Sequence, residues 1–140
     1  MPLLFIIGLR IVGFDGLYGQ DSYEYLRYTE AIQEFFKNGI LPGSYYWPVL
    51  YPFLGSILAF LCNDSAFGLQ LLSCLSLSVS CIYLLKTLKL LYPKNAYRFL
   101  YVFLFVLFCP YFLKMGLIAM SDATSGMFVV LSVYFFFKTY

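Results

Sequence analysis

The sequence predicts an all-α membrane protein, a polytopic bundle of transmembrane helices in a single domain. Hydrophobic residues make up 62% of the 140 residues and charged residues only 11%, with a mean hydropathy of +0.82. A soluble domain has about a quarter charged residues, so the composition favours a chain in contact with lipid. The aromatic share of 22% is typical of a protein with a large membrane–water interface.

Five apolar segments predict the helices, at residues 2–12, 49–62, 66–85, 99–113 and 123–137. The third of them has the length of a full membrane span. In the fourth, Pro110 is expected to end or bend the helix. The first is interpreted as a partial first membrane helix rather than a signal peptide, because neither a basic start nor a small-residue cleavage site accompanies it.

The distribution of charge predicts the topology. Residues 86–98 contain four bases and no acid, whereas residues 13–65 contain six acids against two bases. Because basic loops stay in the cytoplasm, residues 86–98 are expected inside and residues 13–65 outside, as one large external loop. The apolar segment at 49–62 then cannot cross the bilayer, and its short length is typical of a re-entrant or interfacial segment. The predicted location is the plasma (inner) membrane.

Residues 21–38, within the external loop, predict an amphipathic helix. Its apolar side chains recur at helical spacing and comprise Tyr25, Tyr28, Ile32, Phe35 and Phe36. Asp21 and Glu24 have the spacing of a capping box, and Gly39 with Pro42 supplies a stop. Such a helix is expected to lie on the membrane surface with its apolar side towards the lipid.

Asp21 and Asp122 are the candidate catalytic residues, because each opens a helix on the predicted external side and the two can converge. The alternative for each is an ordinary helix N-cap. Arg27 and Lys114 are external bases that either neutralise a phosphate or extend to lipid headgroups. The four cysteines lie in apolar runs without metal-type spacing and are expected to pack between helices.

Three ordered motifs resemble those of GT-C glycosyltransferases, in the branch of dolichyl-phosphate-mannose–protein mannosyltransferases and lipid A aminoarabinose transferases. They are Asp21-Ser22-Tyr23-Glu24-Tyr25, Trp47-Pro48-Val49-Leu50-Tyr51-Pro52 and Ala119-Met120-Ser121-Asp122. The chain departs from the pattern at two positions: Val49 replaces a proline, and Gln70 stands where an arginine is common. Members of the group are several hundred residues long, so the chain is expected to correspond to their N-terminal part.

The resemblance implies transfer of a sugar from a polyprenyl phosphate to a glycan, lipid or protein acceptor, with no nucleic acid involved. Asp21 is then the candidate base, and Glu24, Tyr25, Arg27 and Lys114 are candidate substrate-binding residues. Asp122 either orients the acceptor or shares a divalent cation (Mg²⁺ or Mn²⁺) with Asp21. The competing hypotheses are a non-catalytic small membrane subunit or scaffold, and a transporter or flippase fragment.

Overall fold

The computed structural model describes residues 2–140, and over that range the chain forms helices and loops without a β-strand. The predicted all-α fold class is therefore confirmed. The helices are α1 (Pro2–Ile11), α2 (Gly19–Asn38), α3 (Leu50–Cys62), α4 (Ser65–Leu91), α5 (Arg98–Phe108), α6 (Pro110–Leu117) and α7 (Asp122–Thr139). The longest, α4, contacts each of the other six.

The helix α3 folds back antiparallel along the first half of α4. Tyr51, near the start of α3, donates or accepts a hydrogen bond with Ser73 of α4 (2.7 Å), and Ala59 packs against Gly68 near the other end. Asn63, in the left-handed conformation with φ 54°, makes the turn between the two helices. Thus α3 accompanies α4 only over its first three turns.

The helix α7 runs parallel to α4 and begins three turns further along it. Ser76 of α4 hydrogen-bonds Thr124 of α7 (3.0 Å), and the rings of Tyr83 and Tyr134 meet edge to face with centroids 5.0 Å apart. Two layers result: α1, α2, α3 and the first turns of α4 form one, and the rest of α4 with α5 and α7 forms the other. The short helix α6 lies between them, against Gln70 and Leu77 of α4.

Small residues on one side of α4 form the contact face with its neighbours, as their spacing predicts. Ser73, Cys74, Ser76 and Ser80 are all buried, and Cys81 is half-buried. Small side chains allow close approach of helices in an apolar environment. Among the described residues all four cysteines are free thiols.

The helix α2 begins two residues earlier than expected, which makes the predicted capping box wrong. The N-cap position falls on Tyr18, in extended conformation and without a side-chain cap, so Asp21 lies inside the first turn. Glu24 pairs instead with Arg27, one turn along the same helix. The predicted stop is confirmed, because Gly39 adopts φ 71° and its N–H bonds the Phe35 carbonyl (2.9 Å).

The apolar side of α2 faces protein more than the expected membrane surface. Tyr25, Tyr28 and Ile32 are buried, whereas Phe35 and Phe36 remain exposed. The cover comes from α3 and from the irregular segment 39–49, where Trp47 meets Tyr25 and Tyr45 stacks on Tyr28. The last turns of this helix therefore keep an exposed apolar surface at Phe35 and Phe36.

The remaining segments follow the predicted helices with shifted ends. The bend at Pro110 is confirmed, since α5 and α6 meet there at 78°. The helix α4 continues to Leu91, six residues beyond the predicted span at 66–85, so Lys86 and Lys89 lie on the helix. Asp122 is the first residue of α7.

Of the helices described, only α4 is by itself long and apolar enough to cross a bilayer. The bent pair α5 and α6 would count as one more crossing if taken together, and α3 is apolar but only 13 residues long. Length and composition of the helices therefore support one or two crossings, and do not by themselves support the predicted multi-pass bundle.

The close approach of α3 and α4 predicts that Gly68→Ala destabilises the protein. A Cβ at residue 68 would lie 2.6 Å from the backbone nitrogen of Ala59, and relieving that overlap requires a backbone shift that costs about 1–3 kcal/mol. Thermal unfolding in detergent, followed by far-UV circular dichroism, should show a lower midpoint. Gly126→Ala is the matched control, because a Cβ there meets nothing within 4 Å; equal midpoints for the two variants would contradict this packing.

Candidate functional site

The hydroxyl of Tyr25 joins the two acidic segments of the sequence. It lies 2.8 Å from the Ser121 hydroxyl, across 96 positions of the chain. Tyr25 is one turn after Asp21, and Ser121 directly precedes Asp122. The second turn of α2 therefore meets the residue that precedes α7.

A buried aromatic contact holds Tyr25 in place. Its ring meets that of Tyr51 edge to face, with centroids 4.9 Å apart, and Trp47 lies on another side at 6.5 Å. Tyr51 is 2% exposed, and its hydroxyl also lies 3.1 Å from the Leu69 carbonyl. Aromatic pairs of this geometry add about 0.5–1.5 kcal/mol beyond the burial of their area. The position of Tyr25 is thus fixed by α3 and α4 together.

The segment between α6 and α7 is held by polar side chains of α4. Gln70 donates through Nε2 to the Leu117 carbonyl (3.1 Å), and Ser73 donates to the Met120 carbonyl (3.2 Å). On the opposite side the Ala119 N–H bonds the Gly16 carbonyl (2.8 Å). These contacts fix the position of the residues that lead into Asp122.

Neither Asp21 nor Asp122 is a helix cap, so that alternative was wrong for both. The N-cap positions of their helices fall on Tyr18 and Ser121, and neither side chain there forms a cap hydrogen bond. Both carboxylates are half-buried. Asp122 accepts a hydrogen bond from the Tyr111 hydroxyl (3.1 Å), while Asp21 forms no side-chain hydrogen bond or ion pair with any residue that the structure describes.

The two candidate phosphate-binding bases differ in their surroundings. The Nζ of Lys114 lies 4.3 Å from the centre of the Tyr18 ring, which brings the charge of α6 to the beginning of α2. Arg27 donates through Nε (3.1 Å) and Nη2 (2.9 Å) to one oxygen of Glu24. Lys114 thus forms no ion pair with a carboxylate of the described residues, whereas the charge of Arg27 is matched by Glu24 on its own helix.

A cavity of about 320 Å³ lies beside the Glu24–Arg27 pair. Its other lining residues are consecutive, Ser44, Tyr45, Tyr46 and Trp47. Two of the four predicted substrate-binding residues, Glu24 and Arg27, thus line one concave site with aromatic walls. Tyr25 lies behind it against Trp47, and Lys114 lies apart on α6.

Tyr45 is an unusual residue of this cavity. Its ring stacks on Tyr28 with centroids 3.7 Å apart, and its hydroxyl is buried without a hydrogen-bond partner among the residues described. Burial, and then the nearby Tyr25 and Glu24, raise the pKa of the Tyr45 hydroxyl, so it stays protonated. A buried hydroxyl without a partner is costly, and here it leaves one donor next to the cavity.

An ion pair that the sequence did not predict lies at the same end of the bundle, where α1 ends and α4 begins. Arg10 at the end of α1 pairs with Asp64 at the start of α4, and its Nε donates to Gln70 (3.2 Å). Asp64 also caps α4 by accepting from the Phe67 N–H (2.8 Å). Although partial burial alone would raise the pKa of Asp64, these hydrogen bonds outweigh it and hold the pKa below its ordinary value.

The signals for these residues were present in the sequence. An acid directly before an apolar run is a helix N-cap pattern, which Asp64 satisfies. Gln70 is an amide inside an apolar helix, and such a group requires buried partners. It is fully buried, and a Cβ on Gly16 would overlap its side chain at 2.7 Å.

The residues described contain no group of three or more Asp, Glu or Cys side chains placed to hold a metal ion. A divalent cation shared by Asp21 and Asp122 stays a prediction. Comparison of the chain with models of protein families, with curated proteins and with solved structures found no match. The resemblance to GT-C glycosyltransferases therefore rests on the three motifs in the sequence.

The dual role of Asp64 predicts a graded loss of stability. In Asp64→Asn the amide keeps the cap but Arg10 loses its charged partner, which should cost about 0.2–1 kcal/mol at neutral pH for a partly exposed pair. In Asp64→Ala the cap is lost as well, for roughly 1 kcal/mol more. Denaturant titration in detergent measures both values, and equal losses in the two variants would contradict the capping role.

The same residue predicts a pH dependence. Because the folded-state pKa of Asp64 is lowered, its contribution is complete above the unfolded-state value of 3.8 and is lost as the pH falls through the lower folded-state pKa. The free energy of unfolding of the wild type should therefore fall towards that of Asp64→Asn as the pH is lowered from about 5 towards 2. A difference in unfolding free energy that stays constant over this range would be evidence against the ion pair.

Proposed function

We propose that this protein is a membrane glycosyltransferase that moves a sugar from a polyprenyl-phosphate donor to an acceptor on the extracytoplasmic side. The observation that carries the proposal is the hydrogen bond between Tyr25 and Ser121, which brings the two acidic motifs to one end of the bundle. The GT-C resemblance requires both motifs at one site, although they are far apart in the sequence.

The proposal includes a multi-pass topology, which the distribution of charge supports. All seven acids lie in or beside the layer formed by α1, α2, α3 and the start of α4, or at the start of α7. The opposite end of α4 and α7 carries only bases, namely Lys86, Lys89, Lys94, Arg98 and Lys138. This segregation is the positive-inside pattern.

Exposed apolar side chains on α5 and α7 support embedding of that second layer. Phe99, Phe103 and Phe108 of α5 and Phe128 and Phe136 of α7 are each 44–76% exposed. Contiguous apolar surface of this kind is rare on soluble proteins and costs nothing in lipid. The 18 residues of α7 are about 27 Å long, close to the hydrocarbon thickness of a bilayer.

The structure of α3 supports the predicted re-entrant segment. Both ends of α3 lie against the first three turns of α4, above the start of α7. Its outward side chains, among them Leu50, Phe53, Ile57 and Leu61, are apolar and exposed. We propose that α3 enters the membrane only to the depth of the outer headgroup interface, which keeps residues 13–65 on one side.

The proposed chemistry is a displacement at the anomeric carbon of the donor sugar. The acceptor oxygen or nitrogen forms a bond to that carbon, while the bond from the carbon to the phosphate oxygen breaks. Asp21 takes the proton of the acceptor, and the polyprenyl phosphate leaves with the bonding electrons. A positioned base of this kind typically contributes about 10²–10⁴-fold, and the phosphate needs no acid to leave.

The remaining residues have supporting roles in this proposal. Asp122 orients the acceptor or shares a divalent cation with Asp21. Lys114, which lines a largely apolar cavity of about 420 Å³ with Leu113 and Leu117, neutralises the phosphate of the lipid donor. Glu24, Arg27 and the aromatic residues around the 320 Å³ cavity are proposed to bind a sugar, because planar charged groups and aromatic rings suit its hydroxyls and apolar faces.

A transfer assay with the purified chain and a series of polyprenyl-phosphate sugars tests this function. Asp21→Asn should lower the rate about 10²-fold or more, because amide nitrogen and oxygen cannot accept the proton. Glu30→Gln is the matched control: it removes the same charge from an exposed position of α2 and should retain the wild-type rate.

Two results would contradict the proposal. Transfer by Asp21→Asn within about threefold of the wild type would exclude Asp21 as the base. Absence of transfer with every donor, together with an unchanged cellular phenotype in Asp21→Asn and Asp122→Asn, would favour the non-catalytic subunit instead.

A further inference from the structure

We propose that the basic end of the bundle is a binding surface for anionic phospholipid headgroups. This basic surface consists of Lys86, Lys89, Lys94, Arg98 and Lys138, at the end opposite to the candidate site. Between Asp64 and Asp122 the sequence contains no Asp or Glu, so no nearby carboxylate on these helices neutralises the cations.

The packing of α4 against α7 brings Lys138 to the end of the bundle that carries the other four cations. The Tyr83 ring meets those of Tyr134 (5.0 Å) and Phe135 (6.2 Å). Lys86 lies one turn beyond Tyr83 and Lys138 one turn beyond Tyr134, in helices that run in the same direction. Two cations from different parts of the sequence therefore lie at the same depth of the bundle.

The loop between α4 and α5 is shaped by its own hydrogen bonds. Arg98 donates from Nη1 to the carbonyls of Tyr92 (2.8 Å) and Pro93 (2.7 Å), and the Asn95 side chain accepts from the Tyr97 N–H (2.8 Å). Residues 91–97 line an open cavity of about 690 Å³. Lys94 is at this cavity, and it is exposed.

Tyrosines beside the cations indicate a membrane interface rather than free solvent. Tyr92 and Tyr97 are 59% and 63% exposed, and the Nζ of Lys86 lies 4.5 Å from the centre of the Tyr83 ring. Tyrosine rings favour the headgroup region of a bilayer, and clusters of four or more cations next to a membrane helix attract anionic lipids. Charge complementarity thus identifies the lipid headgroup as the partner.

The test compares lipid association in reconstituted membranes. The chain is placed in phosphatidylcholine bilayers, and electron paramagnetic resonance measures how strongly spin-labelled phosphatidylglycerol and phosphatidylcholine associate with it. The wild type should associate with phosphatidylglycerol at least about threefold more strongly than with phosphatidylcholine. The reason is that each cation near an anionic lipid raises the affinity about fivefold. The double variant K89Q/K94Q should lose most of this preference, as should the wild type in about 0.5 M salt, where charges are screened over a few ångströms.

The matched control is the single variant K37Q, which removes one positive charge from the other end of the protein and should leave the preference unchanged, whereas K89Q and K94Q should each lower it. Equal association of the two lipids with the wild type would overturn the proposal, as would equal losses in K37Q, K89Q and K94Q. Extraction of the chain by alkaline carbonate would also overturn it, because the surface would then not lie at a bilayer. Since lipid association does not require transfer, its failure is distinguishable from failure of the transferase assay.

Discussion

The structure depends on three buried polar side chains inside an apolar helix. Gln70, Ser73 and Ser76 of α4 are at most 1% exposed, and a buried polar group without a partner is costly. Their partners are the carbonyls of Leu117 and Met120 and the hydroxyl of Thr124. The hydrogen bonds of these groups fix the end of α6 and the start of α7 against α4. They thereby position Ser121 and Asp122 at the candidate site.

Most of the helices could be predicted from the sequence, because their boundaries depend on local patterns. The helical spacing of α2, the bend at Pro110 and the small-residue face of α4 each follow from short-range rules. The ends were less predictable. Tyr18 carries no capping signal, so the sequence predicts a start of α2 at Asp21, later than the structure has it.

The residues of the candidate site could be predicted from the sequence, but the contacts between them could not. The two acidic motifs and Tyr25 stand out in the sequence, but nothing local shows that Tyr25 meets Ser121 or that Glu24 and Arg27 face Tyr45 and Trp47. Such contacts depend on how α3 folds back along α4, which the glycine at 68 permits. Arg10 was overlooked for the same reason, since its partner Asp64 is 54 positions away.

The opposite charges of the two ends have an electrical consequence. Near neutral pH the end with α1, α2 and α3 carries all seven acids and four bases, and the other end carries five bases. In a membrane with a negative interior, inverting the protein would move the equivalent of about eight elementary charges against the potential, at about 18 kcal/mol per 100 mV. In the proposed topology, such a voltage would hold the protein in one orientation after insertion.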